Sequence, residues 1–281
     1  MRSTLLRTAR RMPALTALIA LIALAACQPG ANSPMPSDGA GRTTGGALVV
    51  WDRNPESIVF RADIVGGEQD DFERLGDIPY CTIYGDNRVV WLNFLGSYET
   101  QVLYDYATDD AISRFAELMT VTQRFYTYRA LANVQLPSSE SPVYEEIQLN
   151  VNGINHTADS FSGWNSDYFF EVVDLCKSVS TAPILFEPTG AWMNVHQVDS
   201  ALDTAILSWD TAAIGIDLAE VALSGAPRWI TGDLLRALWY TARTAPPNIV
   251  YTDSTGADAR LFRISLQVPT ITRTSPPPPE S

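Results

Sequence analysis

Hydrophobic residues along this chain recur at two spacings, every second position and every third or fourth, and the spacing keeps switching. Ile58, Phe60, Ala62 and Ile64 alternate with Val59, Arg61 and Asp63, which predicts a strand with one wet face. Ile78 to Asn93 is centred on Asp86 and Asn87, two residues that tolerate the positive φ of a tight hairpin turn. Pairing about that turn places Cys81, Ile83, Val90 and Leu92 on one face, and Thr82, Tyr84, Val89 and Trp91 on the other. In the next hairpin, Asn152 and Gly153 are the strongest short-range turn signal a sequence offers. They set Val151 opposite Ile154, Leu149 opposite His156 and Ile147 opposite Ala158 on an apolar face. Asn150 with Asn155, Gln148 with Thr157 and Glu146 with Asp159 then fall on a polar one. A third hairpin is predicted between Ile249 and Val268, turning around Ser254 to Gly256.

Helical spacing fills the gaps. Thr108 caps a helix opening with Asp109 and Asp110 and carrying the stripe Ile112, Phe115, Ala116 and Met119. Ser166 is the expected cap of a second, with Phe169, Val173 and Cys176. Thr231 or Asp233 starts a third, with Leu234, Leu235, Leu238 and Trp239, which ends before Pro246. Antiparallel hairpins followed by helices predict an α+β fold, sheet or sheets of hairpins with helices packed on one face. The globular domain is expected over 47–272, with a possible subdivision near 183–203.

Both ends of the chain fall outside this pattern. Arg2, Arg7, Arg10 and Arg11 lead into an apolar run from Met12 to Ala26, the layout of a secretory signal peptide over 1–26. The run is short of the roughly 20 apolar residues of a spanning helix and carries Pro13 near its start. Its last residues, Leu24, Ala25, Ala26 and Cys27, resemble the lipobox of bacterial lipoproteins. That resemblance implies cleavage before Cys27 and lipid on its thiol, making it the first mature residue and an anchor in the bilayer, on the extracytoplasmic side, at the cell surface or in the periplasm. Residues 27–46 are rich in Gly, Pro, Ser and Thr and read as a flexible tether, and 273–281 as a Pro-rich tail.

Tyr84, Gly85, Asp86, Asn87, Arg88 and Val89 are similar to a Tyr-Gly-Asp-Gly-Arg-Val turn of exported bacterial lipoproteins of unknown function, followed there too by a helix and a second hairpin. Asn87 stands where that pattern has Gly, a change a left-handed position accepts. The likeness covers about a third of the chain beyond the leader and implies no chemistry.

Composition narrows the partners. The chain has 32 acidic and 19 basic residues, four of the bases and none of the acids before Cys27, so the remainder carries a formal charge of −17. That excess argues against nucleic acid, which is held through Lys and Arg. With Cys27 given to lipid, Cys81 and Cys176 are left to pair, one facing the core from a strand and the other from a helix; two separate buried thiols are the alternative.

Chemical motifs are sparse. The two histidines, His156 and His196, lie on strands, and no Gly-x-Ser-x-Gly elbow accompanies them. No His or Cys spacing suggests zinc, and the acids Glu68, Asp70, Asp71 and Glu73, like Asp253 and Asp258, lack the calcium-loop register. Neither a catalytic set, a metal nor a cofactor is therefore assigned. Among seven tryptophans, Trp164 follows Gly163 in a turn and is the candidate exposed aromatic for a glycan or other ligand. The expectation is a lipid-anchored, non-catalytic binding or envelope structural module, its envelope-protein or glycan partner unknown. The alternative is a glycan hydrolase using two carboxylates.

Overall fold

The structure, a computed structural model, describes residues 49–67, 71–137, 141–199, 205–246, 249–253 and 259–280. The leader, Cys27, the tether, Glu68, Asp70, Asp258 and the turn at 254–256 lie outside the described residues. Within them the chain is α+β, with two mostly antiparallel sheets. The first joins β1 (Ile58–Val65), β2 (Cys81–Tyr84), β3 (Arg88–Phe94), β4 (Thr100–Tyr106), β5 (Tyr144–Val151), β6 (Ile154–Asp159) and β7 (Ile184–Leu185) in the order β6-β5-β1-β2-β3-β4-β7. The second joins β8 (Gly190–Val198), β9 (Ile206–Trp209), β10 (Arg228–Thr231), β11 (Val250–Asp253) and β12 (Leu261–Gln267) in the order β10-β8-β12-β11-β9, where only β9 runs parallel to its neighbour.

Turn chemistry decides the registers. Asn152 and Gly153 both adopt positive φ (56° and 71°), the two-residue turn, and β5 and β6 pair at all six positions expected. The hairpin of β2 and β3 departs by one residue. Asn87 N–H donates to the Tyr84 carbonyl (3.0 Å), and Asn87 alone of that turn sits at positive φ (70°). The loop is therefore three residues long, and Ile83 pairs with Val89, Thr82 with Val90 and Cys81 with Trp91. The face expected to hold Val90 and Leu92 beside Cys81 and Ile83 holds Val89 and Trp91 instead, because a one-residue slip turns a strand over.

Two helices, α2 (Asp109–Glu117) and α4 (Tyr168–Lys177), cover one face of the first sheet. Thr108 Oγ1 accepts the Ala111 N–H at 3.2 Å, a cap contributing about 1 kcal/mol. Ile112, Phe115, Ala116 and Met119 of the α2 stripe are all buried, Met119 in the π-helical turn Leu118–Thr122 that extends the helix. Asp167, rather than Ser166, precedes α4. Cys81 of β2 and Cys176 of α4 are fully buried, and their sulfurs lie at disulfide distance with Cα atoms 6.3 Å apart.

The opposite face of the first sheet, with Tyr84, Val90, Leu92 and Val102, shares a second core with Ala191 and Met193 of β8 and with α6 (Leu218–Ser224) and α7 (Gly232–Thr244). Here the predicted wet face of β1 is corrected. Asp63 is only 4% exposed, because the segment after β12 folds back and lays Arg273 on it.

Candidate functional site

Polar groups converge where α7, the loop after the short helix α1 (Asp71–Arg74) and strand β12 meet. They border a cavity of about 430 Å³. Gly76 lies close against its wall: a Cβ there would stand 3.0 Å from Ser265 Oγ, which would have to give by a few tenths of an ångström. On the loop, Asp77 N–H donates to the Arg74 carbonyl (3.1 Å), and the Asp77 carbonyl accepts the Arg273 N–H (2.7 Å). The helix contributes Thr241 and Arg243 from its last turns. Because Arg243 stands four residues after Trp239, the two share a helix face, and the guanidinium carbon lies 5.0 Å over the indole.

Most charges in this wall and behind it are matched. Glu73 Oε1 pairs with Arg263 Nη1 of β12 at 2.5 Å. Arg273 grips Asp63 with two donors, Nε to Oδ2 at 2.6 Å and Nη2 to Oδ1 at 3.0 Å, gives Nη2 also to the Ile64 carbonyl (3.0 Å), and reaches Asp77 Oδ2 with Nη1 at 3.3 Å. Such a fork fits arginine and not lysine. Glu146 on β5 lies directly opposite Asp63 on one side and Asp159 on the other. Burial holds the Glu146 carboxyl above its ordinary range, and those two acids push the same way. Asp77 is likewise held up by burial, against the pull of Arg273. Asp159 is satisfied by the backbone: its Oδ2 accepts the N–H groups of Leu131 (2.6 Å) and Ala132 (2.7 Å).

Arg243 is the exception. Its Nε is shielded from solvent without a hydrogen-bond partner, and its Nη2 stands 3.5 Å from the Gly76 carbonyl oxygen, the outer limit of a bond. No carboxylate among the described residues lies within ion-pair distance of it. Burial brings its pKa down to about 10, offset only in part by the charge of Asp77, so it stays cationic at neutral pH. Tyr251 on β11, also in the wall, is buried and its hydroxyl is pushed up to about 12.

The residues singled out from sequence are not part of this wall. Trp164 is 8% exposed: its ring packs against Tyr128 and Tyr168, and its Nε1 donates to Glu145 at 2.8 Å. The expectation of an exposed aromatic there is corrected, because the turn after Gly163 folds inward onto the core beneath α4. Cys81 and Cys176 belong to the opposite core, and Cys27 lies outside the described residues. His156 Nε2 lies 2.9 Å from the Tyr128 carbonyl oxygen between the rings of Phe125 and Tyr126, and His196 packs on Phe72. Among the described residues no three His, Cys, Asp or Glu side chains are grouped to hold a metal ion.

Arg243 carried a readable signal that was missed. With Leu235 and Trp239 at four-residue steps before it, it prolongs the buried stripe of α7, where a cation is out of place. Arg273 and Asp63, 210 residues apart, carried none. The chain matches no protein-family model, no curated protein and no solved structure.

Proposed function

We propose that this protein is a membrane-anchored, extracytoplasmic lipoprotein whose folded domain binds a small polar ligand in the Arg243 cleft without transforming it. The observation that carries the reading is the imbalance in that cleft: its carboxylates are tied to arginines, Glu73 to Arg263 and Asp77 to Arg273, while the half-buried Arg243 has no acid at ion-pair distance among the described residues. Hydrolysis by two carboxylates needs both side chains free to face a glycosidic bond, roughly 5–10 Å apart. A receptor needs only a preorganised, desolvated group awaiting its complement. The address rests on the Leu24 to Cys27 motif, with Cys27 as the lipid attachment point. Oxidising conditions outside the cytoplasm then make the Cys81–Cys176 pair a disulfide.

The glycan-hydrolase alternative keeps one observation in its favour, the Asp77 carboxyl held up by burial as a general acid requires. Incubating the purified protein with envelope glycans and small metabolites separates the two. Binding with every ligand recovered unchanged supports the receptor; bond cleavage abolished in Asp77→Asn establishes the hydrolase.

A further inference from the structure

Arg243 borders a second cavity as well, on the other side of α7. That cavity, of about 310 Å³, has an apolar floor of Val102, Leu185, Phe186 and Trp239, with Glu99, Glu187 and Arg236 also in its lining. Arg243 is the residue common to both linings. Its guanidinium rests on Trp239, whose ring meets Phe186 edge-on at 5.9 Å. A cation thus adjoins a trough with an aromatic and aliphatic floor, with no carboxylate among the described residues within ion-pair reach of it.

We infer that Arg243, where the two cavities meet, binds a monocarboxylate with an apolar body, the carboxylate on the guanidinium and the body along Trp239, Phe186 and Val102 of the second cavity. A monoanion fits better than a dianion, because Glu73 and Asp77 in the first cavity and Glu99 and Glu187 in the second repel a second negative charge. The carboxylate supplies the acceptors Arg243 lacks, in a place where a charged hydrogen bond is strengthened by poor solvation. The apolar body gains by leaving water, about tenfold in affinity for every two methylenes until the trough is full. This inference rests on the cleft-binding reading and names the chemistry of the ligand.

Isothermal titration of the full-length protein with propionate, hexanoate and octanoate, then octanol and inorganic phosphate, tests it. Affinity is expected to climb along the acid series, with octanol and phosphate far weaker. Arg243→Met, which keeps most of the volume, should lose about 10- to 100-fold for octanoate. The same variant without ligand should melt no lower than wild type, since a half-buried charge without an ion-pair partner has been removed. Arg243→Lys should retain part of the affinity, and Arg114→Gln on α2, which lines neither cavity, should leave it unchanged. An N-acetylated apolar tripeptide with a free C-terminus tells the source: either it or octanoate binding through Arg243 supports the inference. Equal affinity for octanol and octanoate, phosphate binding alone, or octanoate binding undiminished in Arg243→Met overturns it. A neutral ligand found in the cleft and indifferent to Arg243→Met sinks the carboxylate assignment while leaving the receptor reading in place, whereas a cleft that takes nothing sinks both.

Discussion

Replacing Arg273 by Met tests how the end of the chain is held. The substitution removes three donors from the Asp63 carboxylate and the Ile64 carbonyl, and one from Asp77. Among the described residues Asp63 then keeps the hydrogen bond from the Ile64 N–H at 2.9 Å, in a site where its side chain is 5% exposed. An acid left charged and unpaired at that depth destabilises by about 3–5 kcal/mol. At roughly 2–4 °C per kcal/mol for a domain of this size, the melting temperature should fall by ~6–20 °C. Urea unfolding followed by circular dichroism measures the loss directly. The double variant Asp63→Leu/Arg273→Met should lose less than Arg273→Met alone, because neither charge is then stranded, giving a coupling energy on the order of 2 kcal/mol. High salt should change the coupling little, in contrast to the exposed Arg53–Asp109 pair. A loss under about 1 kcal/mol, or two single effects that simply add, would refute the view that this buried fork closes the fold.

Three further outcomes are expected. The folded pKa of Glu146 lies above the unfolded one, so its ionised form opposes folding at neutral pH and that opposition vanishes as pH falls through the folded value. Glu146→Gln should therefore unfold later than wild type at neutral pH, the gap closing below about pH 4, where both states are protonated; a gap that persists in acid speaks against it. Gly85→Ala should be strongly destabilising, by about 2 kcal/mol or more, since its Cβ would fall on the carbonyl oxygens of Asp52 and Asn54, backbone that must then move; a thermal melt equal to wild type contradicts this. Joining Cys81 and Cys176 closes a loop across 95 residues, so Cys81→Ser/Cys176→Ser should lose up to ~4–5 kcal/mol in chemical denaturation, and recovery of two free thiols from folded, air-oxidised wild type would remove the bridge.

What could be read from sequence followed the range over which a residue's neighbours act. The β5 and β6 register was legible pair by pair, because Asn152 and Gly153 specify a two-residue turn and everything after it counts from there. The same reasoning slipped by one at β2 and β3: Asp86 and Asn87 permit a two-residue turn equally well, and the choice was made by Asn87 alone adopting the left-handed conformation. Helix α2 announced itself through Thr108 and a four-residue stripe. Nothing local marked the burial of Asp63, decided by an arginine that the chain brings back from its far end, or of Trp164, decided by Tyr128, Tyr168 and Glu145. Apart from Arg243, which the spacing of the α7 stripe marks, the cleft was illegible for the same reason, since Asp77, Arg243 and Arg263 come together only through tertiary packing.

Native mass spectrometry of the protein extracted from its own membrane tests the anchored-receptor account most directly. The account predicts a chain that begins at a lipid-modified Cys27, is lighter by two hydrogens for the Cys81–Cys176 bond, and carries a small acid released on activation and missing from Arg243→Met. A chain that retains residues 1–26, with three free thiols and no adduct, would contradict it.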